Sequence, residues 1–172
     1  MTEVTAVIEI SEGNLDGIKY EIDPAKGTLQ VDRLLTSNFP YPANYGFIPK
    51  TLAPDHDCTD ILVVFPVPIQ PTAQIRVRII GALDMTDEHG SDIKIVAVPV
   101  SDVSEIYDDV QSVEDLPLIA GSAVNIKYSI ENFFKNYKNK DSHKGKWTEV
   151  HGWFDAETAE AKVKEHQLHF RG

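Results

Sequence analysis

Sulfur chemistry is almost absent from this chain. Its one cysteine, Cys58, excludes an internal disulfide and fits a reducing compartment. Long apolar runs are missing as well: none approaches the ~20 residues needed to span a bilayer. Residues 1–10 alternate polar and apolar, without the basic start and apolar block of a signal peptide, and read as a strand. A cytoplasmic protein with no membrane partner is expected. Positive charge is also scarce, with 16 Lys and Arg against 27 Asp and Glu, a formal net charge of −11. The basic footprint of a non-specific nucleic-acid binder is therefore lacking, and no nucleic-acid partner is expected. A small polyanion remains compatible, provided cations bridge two negative partners. Repeats, low-complexity segments and linkers are absent too. With 172 residues, the chain is expected to form a single domain over 1–172.

What is present is acid, in two clusters. Asp55-His56-Asp57-Cys58-Thr59-Asp60 runs straight into the apolar stretch Ile61-Leu62-Val63-Val64-Phe65. The second cluster, Asp84 to Lys94, holds Asp84, Asp87, Glu88 and Asp92 and is again flanked by β-type sequence. Like charges this close repel unless cations neutralise them. Oxygen-rich, nearly sulfur-free clusters suit Mg²⁺, Ca²⁺ or Mn²⁺ better than softer metals.

The pattern along the chain is strands first, helices later. Residues 18–23 and 28–33 alternate with period two about Pro24-Ala25-Lys26-Gly27, which predicts a hairpin. Prolines and a glycine mark 36–46 as an ordered loop. Further strands are expected at 60–66, 73–86 and 92–99, the last two joined by a turn at 88–91. After Pro99 the period changes. Pro117 is placed to start a helix, and Ile119, Ala123, Ile126, Ile130, Phe133 or Phe134, and Tyr137 form one apolar face. A second helix is expected from the N-cap Asp155 to about Leu168. Short antiparallel strands followed by helices indicate an α+β fold with a small closed barrel as its sheet.

The acidic clusters admit other readings. Asp55–Asp60 also reads as a solvated loop capping a strand. An EF-hand is excluded, because its sixth and twelfth positions would be Asp60 and Pro66 instead of Gly and Glu. Asp55-x-Asp57-x-Thr59 also fits the nucleophile signature of haloacid-dehalogenase-like phosphatases, but two prolines in the preceding 48–54 argue against the buried strand that signature needs. Asp92 and Lys94 share a strand face that Asp87 approaches across the turn; a salt-bridge ladder explains them as well. Lys135, Lys138, Lys140, Lys144 and Lys146 read as a solvated helix end, although Tyr137 ends the apolar stripe and brings its hydroxyl near the core. Arg76 and Arg78 share a face and read as ion-paired. His89, His143, His151, His166 and His169 show no ligand spacing and read as structural or exposed.

Taken in order, Val7-Ile8-Glu9-Ile10, Ile18-Lys19-Tyr20-Glu21-Ile22-Asp23, Val31-Asp32-Arg33, Tyr41-Pro42-Ala43-Asn44-Tyr45-Gly46, Asp55-x-Asp57-x-x-Asp60, Met85-Thr86-Asp87-Glu88, Asp92-x-Lys94 and Tyr137-Lys138 closely resemble soluble family I inorganic pyrophosphatases of the compact bacterial type. The resemblance runs from about residue 7 to Trp153. It implies a five-stranded OB-like β-barrel with flanking α-helices, and hydrolysis of pyrophosphate to two phosphates with several Mg²⁺ per site. Asp55, Asp60 and Asp92 resemble the direct metal ligands, with Asp87 and Glu9 supporting metals that arrive with substrate. Asp57 matches the group thought to take the proton from the attacking water. Lys19, Arg33, Tyr45, Tyr137 and Lys138 resemble the phosphate-binding set, with Lys94, Tyr41, Glu21 and Lys146 close by. Hexamers are common among bacterial relatives, so a homo-oligomer of that kind is implied.

The acidic loop departs from the family's usual Asp-Gly-Asp-Pro-apolar-Asp at three positions, His56, Cys58 and Thr59. An inward-turned His56 would raise affinity for Mn²⁺ or Zn²⁺ as substitutes. The reading from another class is a non-catalytic OB-fold module binding nucleotide or nucleic acid; the acidic balance and the full polar set count against it.

Overall fold

The computed structural model describes residues 2–35, 39–138 and 144–171. The expected loop at 36–38, Lys140 of the basic run and His143 lie outside the described residues.

Five strands close a ring: β1 (Glu3–Ile10), β4 (Asn44–Ile48), β5 (Thr59–Val63), β8 (Lys94–Pro99) and β6 (Gln74–Asp87), with β6 returning to β1. This is the OB-like barrel of an α+β fold. A hairpin of β2 (Ile18–Asp23) and β3 (Thr28–Leu34) stands apart from it as a two-stranded sheet. The short β7 (Gly90–Ser91) and β9 (Thr148–Phe154) both pair with β6. Among the described residues, two α-helices flank the barrel, α1 (Ile126–Asn136) and α2 (Ala156–His169).

The ring strands are buried at nearly every position because both of their faces are covered. Ile61 and Val63 of β5, with Ile95 and Ala97 of β8, join a core that includes Ala159 and Val163 of α2. Their alternate neighbours Leu62, Val96 and Val98 join a second core with Ile130, Phe133 and Phe134 of α1. Period-two alternation gives way to a continuous apolar run wherever both faces are buried.

Closure needs one residue without a side chain. A Cβ on Gly46 would lie 1.9 Å from the carbonyl oxygen of Val7, so β4 approaches β1 only because position 46 is glycine. Strand β6 is long enough to serve several neighbours. Residues 74–78 pair with β1, and residues 82–87 with β9, on either side of an irregularity at Ile79–Gly81.

Three local expectations are corrected. Pro117 does not open a helix. Residues 117–125 turn back on themselves through Ile119 N–H to Val124 O (2.8 Å) and Ser122 N–H to Ile119 O (2.9 Å), with Gly121 at φ +74°. Helix α1 begins nine residues later, because the Asn125 side chain caps it by accepting from Lys127 N. The proposed loop at 36–46 gives way to strand at Asn44, where β5 offers a partner. Strand β9 was not anticipated at all: its alternation of Thr148, Val150 and Gly152 is a period-two signal, but a short one interrupted by glycine.

Candidate active site

One cleft of about 510 Å³ is lined by every metal, catalytic and phosphate-binding residue that the resemblance implied. The barrel end, the β2–β3 hairpin and the C-terminal end of α1 surround it.

The hairpin supplies Lys19 and Arg33, which face each other across β2 and β3. Lys19 Nζ is 2.5 Å from Glu21 Oε1 and 3.4 Å from Asp32, and Arg33 donates to the same Asp32 carboxylate at 3.0 Å. Glu9 enters from the end of β1 and is only 8% exposed. It accepts the Ile22 N–H at 2.8 Å, which joins the hairpin to the barrel. Burial pushes its carboxyl up to about 7 despite that hydrogen bond, and the nearby Asp60 adds to the rise.

The acidic loop carries Asp55 and Asp57 to the cleft on a turn that precedes β5, and Asp60 follows within β5. Desolvation and the neighbouring Asp55 charge raise the Asp57 carboxyl above the ordinary aspartate value. This loop precedes a barrel strand, whereas the haloacid-dehalogenase signature needs the end of a strand in a doubly wound sheet; that alternative is excluded by the fold. His56 occupies the loop's left-handed position, at φ +70°, and is exposed outside the cleft lining. The expectation of an inward metal-seeking His56 is therefore corrected. A tight turn between Asp55 and Asp57 fixes its direction.

Lys94, 3% exposed, lies between two aspartates: its Nζ is 2.5 Å from Asp60 Oδ2 and 2.6 Å from Asp92 Oδ1. The ammonium also sits over Tyr45 and Phe134, at 5.7 and 5.5 Å from the ring centroids. Burial alone would strip its proton, but the flanking carboxylates hold its pKa well above the ordinary lysine value. For Asp92 burial wins over the attraction of Lys94, and its carboxyl is raised.

At the end of α1, Tyr137 and Lys138 leave the helix in succession. Lys138 Nζ meets Asp87 at 2.8 Å and Glu88 at 3.1 Å. Burial of Asp87 opposes ionisation, yet Lys138 and the His89 N–H more than offset it and lower its pKa. Tyr41 and Tyr45 are buried and Tyr137 is half-buried, and desolvation keeps all three phenols protonated as neutral donors.

Among the lining residues that sequence reasoning missed are Gln30, Cys58, Glu88 and His89. Gln30 shows no signal on β3, and Cys58 is neighbour to no base. Glu88 stood in a matched motif, but its link to Lys138 spans 50 residues and only the fold reveals it. His89, read from the sequence as structural or exposed, is exposed and also lines the cleft.

The cleft fits divalent cations on the chemistry of its donors. Carboxylates dominate, and the raised carboxyls of Glu9, Asp57 and Asp92 mark negative charge that burial leaves under-compensated. Among the described residues, no group of three or more His, Cys, Asp or Glu side chains could enclose an ion by itself. Carboxylates that act in ones and twos suit a cation that keeps waters and shares ligands with phosphate, as Mg²⁺ does.

Known proteins resemble the chain over nearly its full length. Residues 6–171 match the family profile described as inorganic pyrophosphatase. Identity to the inorganic pyrophosphatase of Escherichia coli (strain K12) is 47% over 161 residues, covering 94% of this chain and 86% of that protein. Identity to inorganic pyrophosphatase 1 of Pseudomonas syringae pv. tomato is 44% over 170 residues, 99% of this chain and 92% of the relative. In structure, the inorganic phosphatase from Anaplasma phagocytophilum superposes with a TM-score of 0.89 at 39% identity, covering 99% of this chain and 94% of that one. The inorganic pyrophosphatase from Thermus thermophilus superposes with a TM-score of 0.86 at 38% identity, covering 99% and 92%.

Proposed function

The chain belongs to the inorganic pyrophosphatase family and hydrolyses pyrophosphate, and from that premise we propose which side chains do so and with which ions. The family is metal-dependent. Several Mg²⁺ per site, replaceable by Mn²⁺ or Zn²⁺, are held by Asp55, Asp60 and Asp92, with Asp87 and Glu9 assisting. When bound, such cations screen phosphate oxygens and lower the pKa of water.

Lys19, Arg33, Lys94 and Lys138 bind the phosphate oxygens, Arg33 through its two-pronged fork and the lysines as point charges. Tyr45 and Tyr137 donate neutral hydrogen bonds from phenols that burial keeps protonated. Asp57 accepts a proton from water as the water oxygen bonds to phosphorus. The bond from phosphorus to the bridging oxygen breaks, and the second phosphate leaves with that electron pair. A carboxylate positioned within reach of that water serves as its general base.

The observation that supports this reading most is the cleft itself, where nine carboxylate side chains, five cationic ones and three phenols line about 510 Å³. Activity resides in one domain over 1–172. We further assign the protein to the cytoplasm as a homo-hexamer without a nucleic-acid partner, on its −11 charge and its family; sedimentation velocity tests the hexamer.

The mechanism is tested by phosphate release from pyrophosphate with Mg²⁺. Asp57→Asn should lower kcat by about 10²- to 10⁴-fold, the span of a lost general base. A variant as fast as the parent would remove Asp57 from its role. Titrating Mg²⁺, Mn²⁺, Zn²⁺ and Ca²⁺ side by side establishes the metal preference.

A further inference from the structure

His166 lies in the last turn of α2, away from the cleft lining and only 5% exposed. Its Nδ1 is 2.8 Å from the Thr59 hydroxyl, across 107 residues of sequence. Its carbonyl oxygen accepts the Leu52 N–H at 2.9 Å. Thr51 completes the tie. Its hydroxyl donates to Ile48 O at 2.5 Å and accepts the Thr59 N–H at 2.9 Å. Both arms of the acidic loop, Thr51-Leu52 entering and Thr59 leaving, are therefore fastened to one helical residue.

The loop tip adds little comparable support. It closes on Ala53 N–H to Asp57 O (2.8 Å) and His56 N–H to Ala53 O (2.9 Å), both bonds within the loop itself. Thr59 directly precedes Asp60, so a shift at the neck moves Asp60 against Asp55 and Asp57. Burying the Thr59 and His166 polar groups costs desolvation that a valine–leucine pair would avoid. Burial holds the imidazole below its usual pKa, so the ring is neutral at neutral pH and one hydrogen is shared between Nδ1 and the Thr59 hydroxyl.

We propose that His166 is a positioning residue: through Thr59 and Leu52 it sets, from behind the cleft, the spacing of Asp55 and Asp57 against Asp60, and thereby the affinity of the site for divalent cations. The inference rests on the reading of Asp55 and Asp60 as cation ligands.

Mn²⁺ binding to the full-length protein without pyrophosphate, followed by electron paramagnetic resonance, tests it. Thr59→Val keeps the shape and removes the hydroxyl. His166→Leu removes the hydrogen-bonding partner, and His166→Asn returns an amide able to donate or accept near the Nδ1 position. Thr59→Val and His166→Leu should each weaken Mn²⁺ binding by about tenfold, the effect of losing a residue that orients a ligand. The double variant should bind no more weakly than either single one, and His166→Asn should stay within about twofold of the parent. A purely structural bond would lower thermal stability and leave Mn²⁺ affinity unchanged. Thr59→Val binding Mn²⁺ like the parent, whatever its stability, therefore overturns the proposal. Undiminished binding by Asp60→Asn would instead overturn the reading of the site itself, and this inference with it.

Discussion

Glu9 shows how burial and charge compete at a single side chain. Its carboxyl is pushed up to about 7, so without divalent cations the folded protein binds a proton that the unfolded chain releases near 4.5. The stability from that proton is full below pH 4.5 and is lost as pH rises through 7. The shift corresponds to up to about 3 kcal/mol. In chelator, the parent should therefore lose urea resistance between pH 5 and pH 8. Glu9→Gln keeps the acceptor for Ile22 N–H and should hold its midpoint constant over that range. Parallel midpoint curves for the two proteins would contradict this account. Lys94 shows the opposite balance, since two aspartates outweigh its burial. The residue types of the site were legible in the sequence because phosphate and hard cations admit few alternatives. Which acid each lysine meets was not legible: Lys94 and Asp60 are 34 positions apart, and Lys138 and Asp87 are 51.

At the scale of elements, local signals succeeded where an element is specified by its own neighbours. Helix α2 carries its cap at Asp155, whose side chain accepts the Thr158 N–H at 2.8 Å, and it starts where the sequence placed it. Asp155→Ala should cost about 1 kcal/mol, a fall in Tm of about 2–4 °C for a chain of this length, measurable by calorimetry. Helix α1 was misplaced for the converse reason. The apolar spacing continued back to Ile119, but Gly121 in a left-handed turn and the better cap at Asn125 moved its start. Between β1 and β4, the decisive feature is the missing side chain of Gly46. Gly46→Ala forces a methyl into the Val7 carbonyl, so a loss of more than about 3 kcal/mol is expected. A cooperative urea transition near the parental midpoint would refute that close approach.

At the scale of the whole molecule, the −11 charge and the acidic cleft act together. Folding gathers carboxylates that the unfolded chain keeps apart, so cations that bind only the folded form must stabilise it. Free Mg²⁺ at a hundred times its Kd should add about 2.7 kcal/mol, raising Tm by about 5–10 °C over a chelated sample. Asp60→Asn and Asp92→Asn should each reduce that rise. A Tm indifferent to Mg²⁺ in the parent would argue against cations in the cleft.

The sequence by itself determined the apolar strands, the capped C-terminal helix and the chemical inventory of the cleft. Each of these depends on side-chain type and on spacing within a few residues. Only the tertiary structure decided that Lys94 stands between Asp60 and Asp92, that Glu88 shares Lys138, and that His166 reaches Thr59. Those contacts exist because β6 closes on β1 and the helices dock on the finished barrel. Such pairings join residues dozens of positions apart and leave no trace in local periodicity.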